Sequence, residues 1–147
     1  MKKQTLMLVA MIAMVISSMV VSNAAVAPNL MADIPFDFIV ENRTMPAGRY
    51  TISETSTRGV IEISSFDKNT RALVSFSMER GSKRIEASHL EFRRYGDRYF
   101  LSTVKTDGLD SWMRVPESSN ERKAAQDAKY LAGRDVKPQI VQVQAKK

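Results

Sequence analysis

The sequence predicts an all-β fold, an antiparallel meander closed into a small barrel or folded into a sandwich, with one C-terminal α-helix. Apolar residues recur mostly at every second position, which is typical of half-buried strands. Short clusters of Gly, Pro, Asn and Asp separate these alternating runs and indicate successive turns. Only one stretch, near the C-terminus, has helical spacing. Short strands joined by such turns favour an antiparallel sheet.

The N-terminus has the layout of a secretory signal peptide. Lys2 and Lys3 precede an uncharged apolar run at residues 6–21, and small residues follow up to Ala24. We therefore predict a signal peptide at residues 1–24, cleavage after Ala24, and export to the periplasm or the extracellular space. The alternative is an uncleaved anchor, but a membrane helix needs about 20 apolar residues and this run is shorter. The signal peptide is the only expected, transient contact with a membrane.

Composition limits what the exported chain can be. The 22 basic and 16 acidic residues give a net charge of +6, which falls to +4 when the two lysines of the signal peptide are removed. With no Cys, the domain has no disulfide and depends on its hydrophobic core. A single domain of this length can bury such a core. The mild positive charge does not indicate a nucleic-acid partner.

The predicted β domain covers residues 33–116 and follows a short N-terminal linker at residues 25–32. Its first strand is predicted at residues 33–40, with Pro35 near the start or on an edge. A turn at residues 42–48 then reverses the chain into the next strand. Further strands are predicted at residues 60–64 and 72–78. The residues expected on the apolar faces of the first and last of these strands are Ile34, Phe36, Phe38, Val40, Ala72, Val74, Phe76 and Met78.

The segment EFRRYGDRYFL at residues 91–101 predicts a β-hairpin. Gly96 and Asp97 separate two alternating runs, and Gly can supply the positive φ of a two-residue type I′ or II′ turn. The predicted pairs are Tyr95–Arg98, Arg94–Tyr99, Arg93–Phe100, Phe92–Leu101 and Leu90–Thr103. One predicted face carries Leu90, Phe92, Tyr99 and Leu101, with Arg94 at its rim, and the other carries His89, Glu91, Arg93, Tyr95, Arg98, Phe100 and Ser102.

The second of these faces combines Arg and aromatic side chains. Cross-strand pairing with weak cation–π contacts explains the combination structurally. The alternative is a binding surface for an anionic or aromatic partner. Nucleic-acid readout is not expected, because Glu91 and Asp97 interrupt the positive field. The candidate binding surface consists of Arg93, Tyr95, Arg98, Phe100 and Trp112.

Trp112, the only Trp, lies in a short extended segment at residues 111–116. It is expected to anchor the core, with a platform for a ligand or partner as the alternative.

A helix is predicted at residues 117–133. Ser118 and Glu121 have the spacing of a capping box, and Gly133 marks the end. Small apolar residues at helical spacing predict a marginal helix that docks on the sheet or protrudes from it. Residues 134–147 are predicted to be an exposed tail, with an edge strand as the alternative.

Catalytic signals are weak, and we expect a protein that is not an enzyme and needs no cofactor or metal. There is no Cys nucleophile, and His89, the only His, lies within a predicted strand. No Gly-x-Ser-x-Gly elbow accompanies it, and zinc would need more ligands. Asp107 and Asp110 share a Gly-containing loop, which suits a turn, weak calcium coordination or, less well, a carboxylate hydrolase.

Three motifs resemble a family of small exported proteins common in soil acidobacteria. They are IPFDFIV at residues 34–40, MPAGRYTI at 45–52 and LEFRRYGDRYFLSTV at 90–104. The resemblance covers most of the mature chain, but Met45 replaces the usual Leu and Lys105 the expected Trp. It implies export, a β-rich fold and a charged C-terminal helix. The family has no assigned activity, so the resemblance transfers no catalytic residue.

Three functions remain open from the sequence. The first is a noncatalytic module of the cell envelope that binds a protein or polymer partner through the aromatic and basic surface. The second is a small barrel that carries an apolar ligand, which requires an internal cavity. The third and least expected is a hydrolase that uses carboxylates.

Overall fold

The computed structural model describes residues 29–67 and 69–147. The predicted signal peptide and its cleavage site lie outside the described residues. No helix in the part of the chain that is described is long and apolar enough to cross a membrane.

The described residues form eleven strands and one helix, as the sequence predicts for an all-β fold with a C-terminal helix. In chain order the elements are β1 (Leu30–Ile34), β2 (Phe38–Val40), β3 (Arg43–Met45), β4 (Gly48–Glu54), β5 (Val60–Ser65), β6 (Arg71–Ser75), β7 (Ser77–Arg80), β8 (His89–Tyr95), β9 (Arg98–Lys105), β10 (Ser111–Arg114), α1 (Ser119–Ala132) and β11 (Gln139–Lys146).

The strands curve into a nearly closed barrel rather than a sandwich. The main strand order is β3-β2-β9-β8-β11-β1-β4-β5-β6. Strand β6 continues into β7, which pairs with β10, and β10 pairs with β9. This route connects β6, at one end of the strand order, with β9, and leaves β3 at the other end without a second neighbour among the described strands. The pairings are antiparallel except for a parallel contact between β2 and β9, so the sheet is mixed.

The N-terminal part differs from the predicted single strand. Strand β1 begins at Leu30, inside the predicted linker, and the chain leaves the sheet at Pro35 before β2. Phe36 occupies the break and stacks on Tyr99, with ring centroids 3.9 Å apart. Asp37 accepts a hydrogen bond from the Ala47 N–H at 2.7 Å. Pro35 cannot donate a ladder hydrogen bond, and these contacts favour two short strands over one long one.

Two further strands depart from their predicted bounds. Strand β3 lies within the segment that the sequence indicates as a turn, because a tight two-residue turn at Glu41 and Asn42 lets it pair with β2. The predicted strand at residues 72–78 is interrupted at Phe76, whose N–H donates to the Gly59 carbonyl at 2.8 Å. The interruption lets the chain leave its pairing with β5 and continue as β7, which pairs with β10.

The predicted hairpin forms between β8 and β9. Its register pairs Tyr95 with Arg98 and continues as predicted to the pair of Phe92 and Leu101. A β-bulge then shifts the register, so that Leu90 faces Val104 rather than the predicted Thr103. Arg94 lies over the ring of its predicted cross-strand partner Tyr99, 5.2 Å from the centroid, so a cation–π contact forms on the first predicted face.

Replacing Gly96 by Val should destabilise the domain by about 1–2 kcal/mol, because a β-branched side chain resists the positive φ of 63° at this turn. No atom lies within 4 Å of a Cβ at this position, so backbone strain accounts for the effect. Thermal unfolding measures it. Gly96→Asn is the control and should retain most of the stability, since Asn tolerates this conformation. Equal melting temperatures for Gly96→Val and the original protein would contradict the turn assignment.

The C-terminal segment corrects the prediction of an exposed tail. Strand β11 is not an edge strand either, because it lies between β8 and β1 and pairs with both. Its inward side chains are Val141, Val143 and Ala145, which pack against the core. Because these three side chains are small and lie among Gln and Lys residues, the sequence of this segment resembles a polar tail.

The helix begins and ends as the sequence predicts. The Ser118 hydroxyl accepts a hydrogen bond from the Glu121 N–H at 3.1 Å, and Gly133 ends the helix with a φ of 63°. The Glu121 side chain does not complete the capping box but turns toward the barrel wall.

Packed side chains fill the barrel interior. Phe38 lies at its centre, with edge-to-face contacts to Tyr50 and Phe92 at centroid distances of 5.1 and 5.5 Å. All three side chains are fully buried. The Tyr50 hydroxyl donates to the Pro46 carbonyl at 2.6 Å, so the ring is buried with its polar group paired.

Candidate binding site

Helix α1 covers the hairpin face on which the sequence predicts a binding surface. Arg93, Tyr95 and Phe100 retain only 8, 7 and 2% of their exposure. Tyr95 and Phe100 form a small second core with Ala124 of the helix. The expectation that these three hairpin residues are exposed is therefore wrong. Ala at helical spacing was the signal for this packing, because small side chains let a helix approach a sheet closely.

A buried ion pair fastens the helix to the sheet. The Arg93 guanidinium donates to both carboxylate oxygens of Glu121, through Nε and, at 3.0 Å, through Nη2. Burial raises the pKa of Glu121 above its ordinary value, although the neighbouring Arg93 opposes the rise. Sequence reasoning assigned Glu121 to the cap of the helix and missed this partner.

Arg98 is the one residue of the hairpin set that stays partly exposed. Its Nη2 atom lies 3.1 Å from a carboxylate oxygen of Asp127 on the helix. Its charge is thus already paired with a carboxylate of the helix.

Trp112 lies elsewhere, on the β7–β10–β9 side of the barrel, and is half-buried. Its indole N–H donates to Glu79 at 3.0 Å, and the Lys105 ammonium lies 5.4 Å from the ring centroid. The backbone of Gly81 lies against the ring, since a Cβ at that position would approach Trp112 to 2.7 Å. Trp112 therefore combines partial anchoring with an accessible surface. Lys105 contributes a cation–π contact to this face of the ring.

An apolar pocket, here called the end pocket, opens beside Trp112 at one end of the barrel. Its volume is about 60 Å³. Met78 and Leu109, at its lining, are 56 and 46% exposed. Leu30, Ile61, Val104 and Met113 contribute further apolar side chains to the lining. A partly exposed Trp beside an exposed Met matches the side chains that are enriched at protein interfaces.

The candidate carboxylates are held apart by other partners. Asp107 accepts from the Ser88 hydroxyl at 2.7 Å and pairs with Lys147 at 2.8 Å, contacts that lower its pKa. Asp110 instead lies 3.7 Å from Arg80. Such an arrangement supports the turn interpretation of this loop. Among the described residues, no group of three or more His, Asp or Glu side chains is placed to hold a metal ion.

Among the residues that the structure describes, no serine hydroxyl hydrogen-bonds to His89. Its Nδ1 atom lies 2.8 Å from the Ala87 carbonyl, and its Nε2 atom lies 3.4 Å from Glu91. Glu91 also binds the Lys105 ammonium at 2.7 Å. The ring is thus one member of a polar network on the barrel wall, without the hydroxyl that a serine triad requires.

The described residues thus bring together a helix-covered hairpin face and, separately, the end pocket beside Trp112. Comparison with protein-family models, with curated proteins and with solved structures found no significant match.

Proposed function

We propose that the protein is an exported, noncatalytic module of the cell envelope that binds a partner protein. The observation that carries the proposal is the end pocket, an apolar recess bordered by exposed Met78 and Leu109 and by half-buried Trp112. Exposed apolar groups gathered around a recess mark an interaction site more often than single exposed residues do. An apolar side chain of the partner would enter the recess.

The dimensions of the pocket favour a side chain over a free apolar ligand. Sites for small molecules usually measure about 300–1,000 Å³. The end pocket measures about 60 Å³, and aromatic and aliphatic side chains fill the rest of the barrel. A larger opening in the barrel wall, of about 670 Å³, has four polar or charged residues among the seven that line it, so it is a poor site for an apolar ligand. The packed interior and this polar lining support the binding module over the carrier. A protein is also a better partner than a polysaccharide or other polar polymer, because the recess is apolar.

Charged neighbours would give such an interface its polar rim. Glu79 binds the Trp112 indole and, through its other oxygen, the Arg114 guanidinium. Arg114 lowers the pKa of Glu79, so this carboxylate stays ionised at neutral pH. A polar rim around an apolar centre is the usual anatomy of a protein interface.

Replacing Leu109 by Asp should weaken partner binding at least about tenfold, because a carboxylate would lie where the partner buries apolar surface. The exposed position of Leu109 should leave folding intact. The measurement is quantitative mass spectrometry of envelope proteins retained by the immobilised protein. Leu131→Asp is the matched control, since Leu131 is 84% exposed on α1, away from the pocket.

A partner retained by the original protein and by Leu131→Asp, but lost from Leu109→Asp, supports the proposal. Equal retention by all three proteins contradicts it. Native mass spectrometry of the purified protein tests the carrier alternative, which predicts a bound lipid or other small molecule.

A further inference from the structure

The barrel wall has an opening between β3 and β6, here called the wall slot. These are the two ends of the main strand order, and among the described strands none pairs with their outer edges. The slot has a volume of about 670 Å³, against about 60 Å³ for the end pocket. Buried Val40 and Ala72 lie at its floor. The slot is therefore an opening bordered by β6 on one side and by Arg43 and the β2–β3 turn on the other, with an apolar base.

Two side chains of the described residues bridge the wall slot. The Arg43 guanidinium of β3 donates to the Arg71 carbonyl of β6. The Ser75 N–H of β6 donates to Glu41, in the turn before β3, at 3.4 Å. The edges of β3 and β6 thus form no backbone ladder with each other, although side chains cross between them. Paired strands lie about 4.8 Å apart, so one strand fits between two edges at about twice that spacing.

Backbone hydrogen-bonding groups on both edges point into the slot. Backbone hydrogen bonds flank β6 at both ends: the Ser65 N–H donates to the Thr70 carbonyl, and the Phe76 N–H donates to the Gly59 carbonyl. With the β5–β6 register, they show which residues of β6 hydrogen-bond to β5 and which point away from it. Leu73, midway between the bridged positions, therefore directs its N–H and C=O away from β5. On β3, Arg43 closes the two-residue hairpin and is hydrogen-bonded to β2. The next residue, Thr44, therefore directs its N–H and C=O away from β2 and toward the slot.

We propose that the wall slot receives one extended segment of a partner protein, which adds as a strand and completes the barrel. Strands β3 and β6 run in opposite directions, because seven of the eight pairings that lead from one to the other are antiparallel and only the β2–β9 pairing is parallel. An inserted strand is therefore antiparallel to one and parallel to the other. We expect the inserted strand to be antiparallel to β6, because antiparallel pairing is the more stable kind and β6 offers five residues against three for β3. Such β-augmentation derives affinity from main-chain hydrogen bonds and specificity from alternate side chains.

The slot also specifies the chemistry of the segment. A residue opposite Leu73 points outward, and a β-branched side chain there would cover Leu73, which is 59% exposed. The next residue points inward beside Ala72. A carboxylate at this position would pair with the Arg43 guanidinium released from the Arg71 carbonyl. The preceding inward residue lies opposite buried Val74 and must be apolar. The expected core of the segment is an apolar, a β-branched and an acidic residue, for example Val-Ile-Asp.

The slot and the end pocket are separate surfaces, so this inference does not rest on the proposed function. The test uses the purified protein and a fluorescent peptide of seven residues, capped at both ends, with Val-Ile-Asp at its centre. Fluorescence anisotropy measures binding, and hydrogen exchange locates it. We expect slower exchange of the Leu73 amide on binding. Leu109→Asp, which alters only the end pocket, should bind the peptide unchanged.

Arg43→Glu is the decisive variant, because Arg43 is exposed and can be reversed in charge without loss of the core. The original protein should prefer Val-Ile-Asp to Val-Ile-Lys about tenfold, and the variant should reverse this preference. N-methylation of the central Ile should weaken binding about tenfold, since it removes a main-chain donor to Leu73. Failure of the Val-Ile-Asp peptide to bind at millimolar concentration would overturn the proposal. So would binding that leaves the Leu73 amide unprotected or the charge preference unchanged.

Discussion

A chain shortened to end at Lys137 is expected to lose its cooperatively folded state at 25 °C. The truncation removes β11, which pairs with β8 over six residues and with β1 on its other side. It therefore opens the barrel in the middle of the strand order and exposes the buried edge beside Leu90 and Phe92. The free energy of unfolding of a domain is only about 5–15 kcal/mol. The contacts of a central strand contribute more than this margin, so the remaining strands should not stay folded without it. Circular dichroism and limited proteolysis measure the outcome.

Strand complementation provides the control for this truncation. A synthetic peptide of residues 138–147, added to the shortened chain, should restore a cooperative thermal transition, because it can pair again with both neighbours. A variant of the full chain with Gln144→Glu changes an exposed side chain of the same strand and should melt as the original does. A shortened chain that unfolds cooperatively, near the original temperature and without the peptide, would show that β11 is dispensable.

Local chemistry made some elements predictable from the sequence. The hairpin turn follows from Gly96, which adopts the positive φ that a two-residue loop requires. The start of α1 follows from the Ser118 hydroxyl, which caps the first turn, and its end follows from Gly133, which adopts a positive φ after the last turn. Each of these signals involves residues close together in the chain, so a single sequence is sufficient to interpret them.

Long-range contacts explain what the sequence did not reveal. A charged residue such as Arg93 is ordinarily exposed, and only its pairing with Glu121, 28 residues away, allows it to be buried. The neighbours of β11 are likewise determined by the closure of the barrel. The alternation of Gln and apolar residues in the sequence of β11 does not indicate which strands it pairs with. The end pocket arises because β6 changes direction at Phe76 and brings β7 beside β10. None of these placements has a local signature.

Replacing Arg93 by Met should lower the free energy of unfolding by about 3–5 kcal/mol, because Glu121 would remain buried without its counter-charge. The Glu121 side chain is 2% exposed and that of Arg93 10%, so water cannot compensate. Chemical denaturation measures the loss. Hydrogen exchange of the α1 amides shows whether the helix detaches before the barrel unfolds.

A second pair on the same helix and hairpin supplies the matched control. Arg98 and Asp127 form an ion pair whose side chains are 41 and 49% exposed, and Arg98→Met should cost at most about 1 kcal/mol. The double variant Arg93→Met, Glu121→Leu should recover most of the loss, since it removes both buried charges together. A loss in Arg93→Met no larger than in Arg98→Met would mean that the buried pair does not hold the helix.

The stability of Arg93→Met should also depend on pH in a direction that identifies Glu121 as the cause. Burial already raises the pKa of Glu121 above its ordinary value of 4.5, and removal of Arg93 raises it further. The folded state then keeps a proton that the unfolded state has released, so stability falls as the pH rises above 4.5. The deficit relative to the original protein should therefore be small in acid and grow toward neutral pH. Adding Glu121→Gln removes the titrating group and should abolish this growth, whereas a deficit that is constant with pH would assign the loss to packing of the Arg93 side chain.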